Sequence, residues 1–348
     1  MTIPVLTATP PDTAIVRRPA VVRLAWLLAG SGALAALVIA SVAFGNRVLG
    51  IDDVIAGLSG STDGIGPAAV VARMPRTALA LLVGAALALA GTTFQAVTRN
   101  PLADPGILGV SAGSSLAVVS GMAFLGISAP YPVMGLAILG AAAAAVFVYA
   151  VGSLGRGGAT PLKLALAGAA TTAAVMSLLS AILLPRVDVM TSFRFWQIGG
   201  VGGATWDRIG ITAPVLAVGA IIVLLSARGM NSLALGDDVA AGLGENVART
   251  RLISALGAVI LCGAATAIAG PIAFIGLVVP HLCRLLIGTD HRWLLPFTAL
   301  VGAGLLTAAD IVGRVVTRPQ EIEVGIVTAI IGAPLFIAIV RRQKVREL

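Results

Sequence analysis

The chain has 348 residues, of which 58% are hydrophobic and only 11% are charged, and its mean hydropathy is +1.03. Soluble domains carry about 25% charged residues, so this chain is excluded from the soluble globular class because it cannot cover its own surface with polar groups. The 42 glycines and the aromatic fraction of only 4% favour closely packed helices over a β-barrel, whose strands alternate apolar and polar residues. We predict an all-α, polytopic membrane protein.

The net charge of +8 does not indicate a nucleic-acid partner, because the basic residues are scattered between apolar runs and form no stripe. Cys262 and Cys283 have neither metal-ligand nor disulfide spacing, and the two histidines are too few for a His-rich metal site. We therefore expect no metal site and no directly bound cofactor.

Charge-free runs mark the membrane spans, because a spanning helix needs about 20 residues and a charge at its centre costs about 2.5–3.5 kcal/mol. These runs are 24–46, 77–98, 105–155, 164–185, 209–227, 252–283, 293–309 and 324–340. The turn GISAPYP (126–132) splits the third run, and Gly270-Pro271 breaks the sixth, since proline lacks the N–H that a helix needs. Six single spans and two pairs predict ten transmembrane helices.

The predicted spans form one domain, residues 23–342, followed by a short cytoplasmic tail at 343–348. We expect the Pro/Thr-rich tail at 1–22 to be disordered. Ten spans place both termini on one side of the membrane. With the termini inside, that side holds 15 of the 23 basic residues, so the positive-inside rule predicts cytoplasmic termini.

The stretch GVSAG (109–113) matches the G-x-S-x-G turn that presents the nucleophile of many serine hydrolases. That turn needs a preceding strand, whereas here the breaker-rich NPLADPG comes first and an apolar span follows. An intramembrane serine protease with Ser111 as nucleophile and His281 as base is one alternative, although His281 stands near Arg284 at a span end. Small residues at this spacing also suit a close helix contact, which we favour.

The chain carries no ATP-binding loop of the form G-x-x-x-x-G-K-[ST] and no pair of charged residues placed as a proton relay. Asp310 is the only acid well inside an apolar part, and Arg314 follows four residues later, so we expect a local ion pair. An ion-coupled secondary transporter is therefore disfavoured. A transporter of this kind needs energy from a partner protein.

Two polar features could bind partners. The segment SLALGDDVAAGLGENVARTR (232–251) is either a solvated loop or a docking site for a cytoplasmic partner. Arg73 and Arg76 flank Pro75 on one helix face. Such arginines usually extend to lipid head groups, but they can also bind the carboxylates of an external partner.

Four long motifs together resemble one family, the FecCD-type permease subunits of ABC importers for iron-siderophores, haem and cobalamin. The motifs are RMPRTALALLVGAALALAGTTFQAVTRNPLADPGILGVSAG (73–113), NSLALGDDVAAGLG (231–244), GPIAFIGLVVPHLCRLLIGTDHRWLLP (270–296), and ADIVGR with EVGIVTAIIGAPLFI (309–314 and 323–337). They follow the family's order from residue 73 nearly to the C-terminus. FRFWQIGG (193–200) and HRWLLP are similar to the ferric-siderophore members, of the ferric-enterobactin permease kind.

The resemblance implies a cobalamin-importer-permease-like fold of ten transmembrane helices in a bacterial plasma or inner membrane. It implies a non-enzymatic subunit that moves ferric-siderophore complexes into the cytoplasm, with haem or cobalamin as the alternative cargo. The implied partners are a second permease subunit, two ATP-binding subunits that use the ATP, and an extracytoplasmic siderophore-binding protein. Membrane lipid surrounds the complex, and no nucleic acid is expected.

The resemblance also implies roles for particular residues. Three outer arginines match those that bind glutamates of the binding protein: Arg73, Arg76 and Arg314. The residues matching the ATPase-coupling helices, in a loop at about 230–250, are Leu235, Gly236, Asp237, Asp238, Ala241, Gly242, Leu243 and Gly244. The implied gate and translocation path contain Asn100, Leu102, Ser111 and Thr160. The segment RPQEIEV (318–324) departs from the family pattern, because Arg318 and Glu321 add charge to a plainer turn.

Overall fold

A computed structural model describes residues 19–47, 49–106, 109–154 and 161–344, and within these ranges the chain is helical, without strands. The fourteen helices are α1 (Ala20–Ala43), α2 (Ile51–Leu58), α3 (Ile65–Thr98), α4 (Val110–Leu125), α5 (Pro130–Ser153), α6 (Pro161–Leu183), α7 (Val187–Ile198), α8 (Trp206–Leu225), α9 (Ala227–Leu233), α10 (Asp237–Gly242), α11 (Val247–Ala269), α12 (Ile275–Ile287), α13 (His291–Val316) and α14 (Val324–Lys344). Thr160 and residues 1–18 of the predicted tail lie outside the described ranges.

Ten of these helices correspond to the ten predicted spans. Seven are long and apolar enough to cross a membrane, α4 and α12 are shorter apolar helices, and α14 is apolar over Val324–Ala338. The remaining four, α2, α7, α9 and α10, are short and lie between the spans along the chain. The predicted all-α polytopic class is confirmed.

Both predicted breaks occur where glycine and proline stand. Helix α4 ends at Leu125, Gly126 takes the left-handed conformation with φ 63°, and α5 begins at Pro130. Helix α11 ends at Ala269, followed by Gly270 with φ 70°. Glycine adopts these positive φ values without the steric cost that a side chain would add, so each long apolar run divides into two helices.

Several helices run past the ends of the charge-free runs, so the predicted span bounds are wrong there. Helix α3 begins at Ile65 instead of 77, and α13 continues to Val316 instead of ending at 309. Helix α1 begins at Ala20, inside the segment 1–22 that the sequence predicts as a tail. Charged side chains inside spans are stabilised by pairing, and Arg73, Arg76 and Arg314 in the extended parts of α3 and α13 all have partners.

Helix α3 is the most buried span and α1 the least buried. Helix α3 packs against α13, α11 and α12. At the crossing with α13, Gly84 faces Gly302, and a Cβ on either residue would overlap the carbonyl oxygen of the other. Small residues allow this close approach in a bundle where no hydrophobic effect drives helices together.

The bundle has two ends, which we name by a residue at each. The Arg76 end contains the C-terminus of α1, the N-terminus of α3, the C-terminus of α13 and the α13–α14 connection. The Asp237 end contains the N-terminus of α1, the C-terminus of α3, helices α9 and α10, and the N-terminus of α13. Helices α3 and α13 each extend from one end to the other.

Candidate functional site

At the Arg76 end, one guanidinium joins three elements. Arg76 Nε and Nη2 donate to Asp310 Oδ1 of α13 at 3.0 and 2.8 Å. Arg76 Nη1 donates to Glu321 Oε2 of the α13–α14 connection at 2.5 Å. Arg314 Nη2 lies 2.9 Å from Asp310 Oδ2, which confirms the local pair expected from the spacing. Charge-assisted contacts of this kind hold α3, α13 and the connection together.

Arg73 and Arg314 bind the C-terminal end of α1. Arg73 Nη1 donates to the carbonyl oxygens of Val42 and Ala43 at 3.0 and 2.9 Å. Arg314 Nη1 donates to the carbonyl oxygen of Ser41 at 3.0 Å, and its Nη2 donates to the Ser41 hydroxyl at 2.7 Å. The last carbonyls of a helix lack intrahelical donors and carry a partial negative charge, so two guanidinium groups satisfy them.

The three arginines predicted to dock a binding protein are therefore not free surface cations. Arg73 and Arg314 are only 5% and 1% exposed. The Arg76 side chain is 12% exposed and forms ion pairs with two carboxylates. The structure brings the three residues together, as a shared site requires, but their guanidinium groups are bound to other groups of the same chain. Arg47 and Arg318, close to them in the chain or in space, are exposed.

Glu323 adds a third acid beside this cluster. Its carboxylate occupies the space where a Cβ on Gly200 would stand, and its Oε2 atom is buried without a hydrogen-bond partner among the described residues. Burial raises the pKa of Glu323; the charge of Arg76 opposes this rise, while Glu321 and Asp310 add to it. Unlike Glu321, Glu323 therefore acts on Arg76 only through the electrostatic field.

At the Asp237 end, the segment predicted to contact an ATPase forms a small exposed helix. Three apolar side chains spaced four residues apart are exposed, Leu235 at 54%, Val239 at 51% and Leu243 at 67%. Exposed apolar side chains outside the spans indicate a surface that a protein partner covers. Asp238, Ala241, Gly242 and Gly244 are exposed too, and Gly236 and Gly244 have positive φ at the two ends of α10.

Asp237 fixes α10 to two neighbouring helices. Its Oδ1 atom lies 2.8 Å from Arg251 Nη2 of α11 and 3.5 Å from Arg99 Nη2 at the C-terminal end of α3. The predicted coupling residue thus links the exposed helix α10 to the central helix α3.

A second polar cluster at this end, the Asp290 cluster, escapes prediction from the sequence. Asn231 Nδ2 of α9 donates to Asp290 Oδ1 at 2.7 Å, and Arg23 Nη1 of α1 lies 3.3 Å from Asp290 Oδ2. The His291 backbone N–H donates to Asn231 Oδ1 at 2.9 Å. Burial alone would raise the pKa of Asp290, but the bonds from Asn231 and the Arg292 N–H, with the charges of Arg23 and Arg292, lower it.

The sequence indicates one part of this cluster, the helix N-cap. Asp290 precedes an apolar run, a typical helix N-cap, and its Oδ1 atom accepts from the Arg292 N–H at 3.1 Å. Nothing in the sequence pattern points to Asn231 or Arg23 as its partners, which are 59 and 267 residues away along the chain.

The predicted gate residues lie in the turn between α3 and α4. Asn100 Oδ1 accepts from the Leu102 N–H at 3.0 Å, and both residues are half-buried. Ser111 stands in the first turn of α4 beside Cys262 of α11. Among the described hydrogen bonds, none joins Ser111 to His281, so the structure assembles no serine–histidine pair. The gate and path roles stay predictions.

Gln95 of α3 is another residue that the sequence does not single out. Its Nε2 atom donates to the Gly276 carbonyl of α12 at 3.2 Å. That carbonyl would normally accept from the residue four positions later, which is Pro280 and has no N–H. The proline is the only local signal, since the donor is 181 residues away.

The model of the FecCD transport family matches residues 33–342, so the chain belongs to the FecCD transport family. It is 46% identical to the ferric enterobactin transport system permease protein of Escherichia coli, over 91% of this chain and 96% of that protein. It is 46% identical to the iron(3+)-hydroxamate import system permease protein of Bacillus subtilis, over 78% of this chain and 71% of that protein. A solved metal-chelate type ABC transporter in an inward-facing conformation superposes with a TM-score of 0.78 at 29% identity, covering 92% of this chain and 99% of that one.

The chain is therefore a membrane-embedded permease subunit of an ABC transporter. Subunits of this family are not enzymes, and ATP hydrolysis takes place in a separate subunit. The G-x-S-x-G match at Ser111 consequently does not mark a protease, and the ion-coupled alternative is set aside. Ser111 belongs to a tightly packed helix start.

Proposed function

We propose that this permease moves ferric-siderophore complexes into the cytoplasm of a bacterium. The supporting observation is 46% identity to a ferric enterobactin permease across 91% of the chain. A second relative named for iron(3+)-hydroxamate import shares the same identity, which supports an iron chelate as the class of cargo. Haem and cobalamin are the alternative cargoes, and the chain itself binds no cofactor in this proposal.

The proposed complex contains two permease subunits and two ATP-binding subunits in the plasma or inner membrane. The ATP-binding subunits contact the Asp237 end, because that end exposes the apolar side chains Leu235, Val239 and Leu243. An extracytoplasmic siderophore-binding protein docks at the opposite, Arg76 end. The Asp237 end and both termini then face the cytoplasm, in agreement with the distribution of basic residues.

In the proposed mechanism, ATP binding in the partner subunits moves α10 and, through Asp237 and its two arginines, the end of α3. Helix α3 carries the movement to the Arg76 end because it is a single helix of 34 residues. The turn containing Asn100 and Leu102, together with Ser111 and Thr160, opens and closes the path. The two ends alternate in access to the cargo, and no covalent bond to the cargo forms.

A transport assay tests this proposal. The permease is reconstituted in liposomes with an ATP-binding subunit and a siderophore-binding protein from the same organism, and uptake of radiolabelled iron is measured with ferric enterobactin. Ferric hydroxamate, haem and cobalamin serve as competing cargoes. We expect uptake of a ferric siderophore that stops when the ATP-binding subunit cannot hydrolyse ATP.

Two results would contradict the proposal. Uptake that continues without ATP hydrolysis would restore the ion-coupled reading. Transport of haem or cobalamin in preference to every ferric siderophore would leave the ABC permease in place but overturn the proposed cargo.

A further inference from the structure

The guanidinium of Arg76 has two edges with different environments. The edge formed by Nε and Nη2 binds Asp310, whose side chain is 0% exposed. The Nη1 atom binds Glu321, whose side chain is 31% exposed. The Asp310 side of Arg76 is therefore buried, and the Glu321 side is the more accessible one.

The two carboxylates also differ in how firmly they are held. Asp310 lies on α13 and binds Arg76 and Arg314 together. Glu321 lies in the non-helical connection between α13 and α14, where residues 318–321 are exposed, and Arg76 is its one ion-pair partner among the described residues. Rotation of the Glu321 side chain breaks one contact and leaves the buried pairs intact.

The charges around this position favour a carboxylate. Four arginines, Arg73, Arg76, Arg314 and Arg318, lie at this end with three acids, Asp310, Glu321 and Glu323. Asp310 neutralises part of this excess, but it is shared between two arginines. When the Glu321 side chain rotates away, Nη1 of Arg76 loses its partner and the four arginines face two acids, Asp310 and Glu323. A guanidinium group in this state binds a further carboxylate.

We propose that Glu321 is an internal substitute for a carboxylate of the binding protein. In the free permease, Glu321 occupies the Nη1 edge of Arg76, and on docking a carboxylate of the partner replaces it. This inference rests on the proposed docking of the binding protein at the Arg76 end. Because the partner must displace Glu321, it docks more weakly than it would dock on an unpaired arginine. This weaker docking allows the empty binding protein to leave after delivery.

The test compares two acids that are two residues apart. Glu321→Gln removes the charged contact with Arg76. Glu323→Gln removes the same formal charge from the same connection, but Glu323 makes no hydrogen bond to Arg76. Each variant permease is assembled with its ATP-binding subunits in nanodiscs, and its affinity for the binding protein used in the transport assay is measured by biolayer interferometry.

We expect Glu321→Gln to bind the partner about three- to tenfold more tightly, in the range of a partly exposed ion pair. Glu323→Gln should bind within about twofold of the wild type. The gain in Glu321→Gln should shrink at high salt, since exposed charges are screened. Thermal unfolding of each nanodisc sample checks that both variants are folded.

Three results would overturn the inference. Unchanged or weaker binding by Glu321→Gln would show that its carboxylate positions the connection and does not compete with the partner. Equal tightening by both variants would assign the effect to net charge. If neither the wild type nor any variant binds the partner while siderophore uptake proceeds, docking at this end is wrong; if uptake fails as well, the proposed function itself is overturned.

Discussion

The arginines of this permease have different roles, and the position of an arginine along the chain does not show which role it has. Arg314 is almost fully buried and binds Asp310 as well as the C-terminal end of α1. Arg318, four residues later, is exposed. Breaking a buried pair leaves an uncompensated charge, whereas removing an exposed charge changes little. The same residue type is therefore structural at one position and available to solvent at the other.

This difference predicts the stability of two matched variants. Arg314→Gln should lower the free energy of unfolding by about 3 kcal/mol, because it leaves Asp310 with one cation and removes the donor to the Ser41 carbonyl of α1. Arg318→Gln should change it by less than about 0.5 kcal/mol. Chemical unfolding in detergent, followed by tryptophan fluorescence, measures both. Equal stability of the two variants would contradict the structural role of Arg314.

Among the helices, α3 and α13 form the central pair that joins the two ends of the molecule. Helix α3 carries Arg76 near its start and is followed by Arg99, which lies near Asp237. Helix α13 begins beside Asp290 and ends beyond Arg314. Their backbones approach at Gly84 and Gly302. Because interiors are close-packed, a side chain added at this crossing would force the two helices apart.

Two glycines of α13 test this packing. A Cβ at Gly302 would overlap the Gly84 carbonyl and Ala88, whereas a Cβ at Gly304 would meet only Leu37 and Leu34 side chains at 3.5 and 3.7 Å. Gly302→Ala should destabilise the protein by about 1–3 kcal/mol through overpacking. Gly304→Ala should be neutral or stabilise it by up to about 1 kcal/mol, as alanine favours helix. Thermal unfolding in detergent compares them, and a tolerated Gly302→Ala would contradict the close contact.

At the scale of the whole molecule, the two ends of the bundle differ in their charged groups, although both expose apolar side chains. The Arg76 end presents arginines bound to carboxylates, which suit a polar and reversible contact. The Asp237 end exposes Leu235, Val239 and Leu243 in and beside α10, a surface that suits contact with an ATP-binding subunit. In the proposed complex, the ATP-binding subunits therefore contact the Asp237 end and the binding protein contacts the Arg76 end.

The division predicts the effects of two exposed leucines. Leu243 at the Asp237 end is 67% exposed, and Leu58 of α2 near the Arg76 end is 57% exposed. Leu243→Ser should weaken association with the ATP-binding subunit about tenfold, since an apolar residue buried in an interface contributes about 1–2 kcal/mol. Leu58→Ser should leave association unchanged. Co-purification and binding-protein-stimulated ATP hydrolysis measure both, and an unaffected Leu243→Ser complex would remove α10 from the interface.

Apolarity and helix breakers are local properties, so the number of spans was predictable from the sequence. The breaks at 126–132 and at Gly270-Pro271 were predictable as well, because glycine and proline act on their own backbone. The exposed segment around Asp237 and the Asp310–Arg314 pair also followed from short spacings. Each of these predictions needs only residues that are close together along the chain.

Pairing between distant residues, in contrast, was decided by the tertiary structure. Arg76 is 234 residues from Asp310 and 245 from Glu321, and Arg23 is 267 from Asp290. Such partners determine whether an arginine is buried, how far a helix extends past a charge, and which guanidinium edge a partner can reach. Helices in lipid are positioned by side-chain packing and polar contacts with other helices, and these contacts exist only once the bundle has formed.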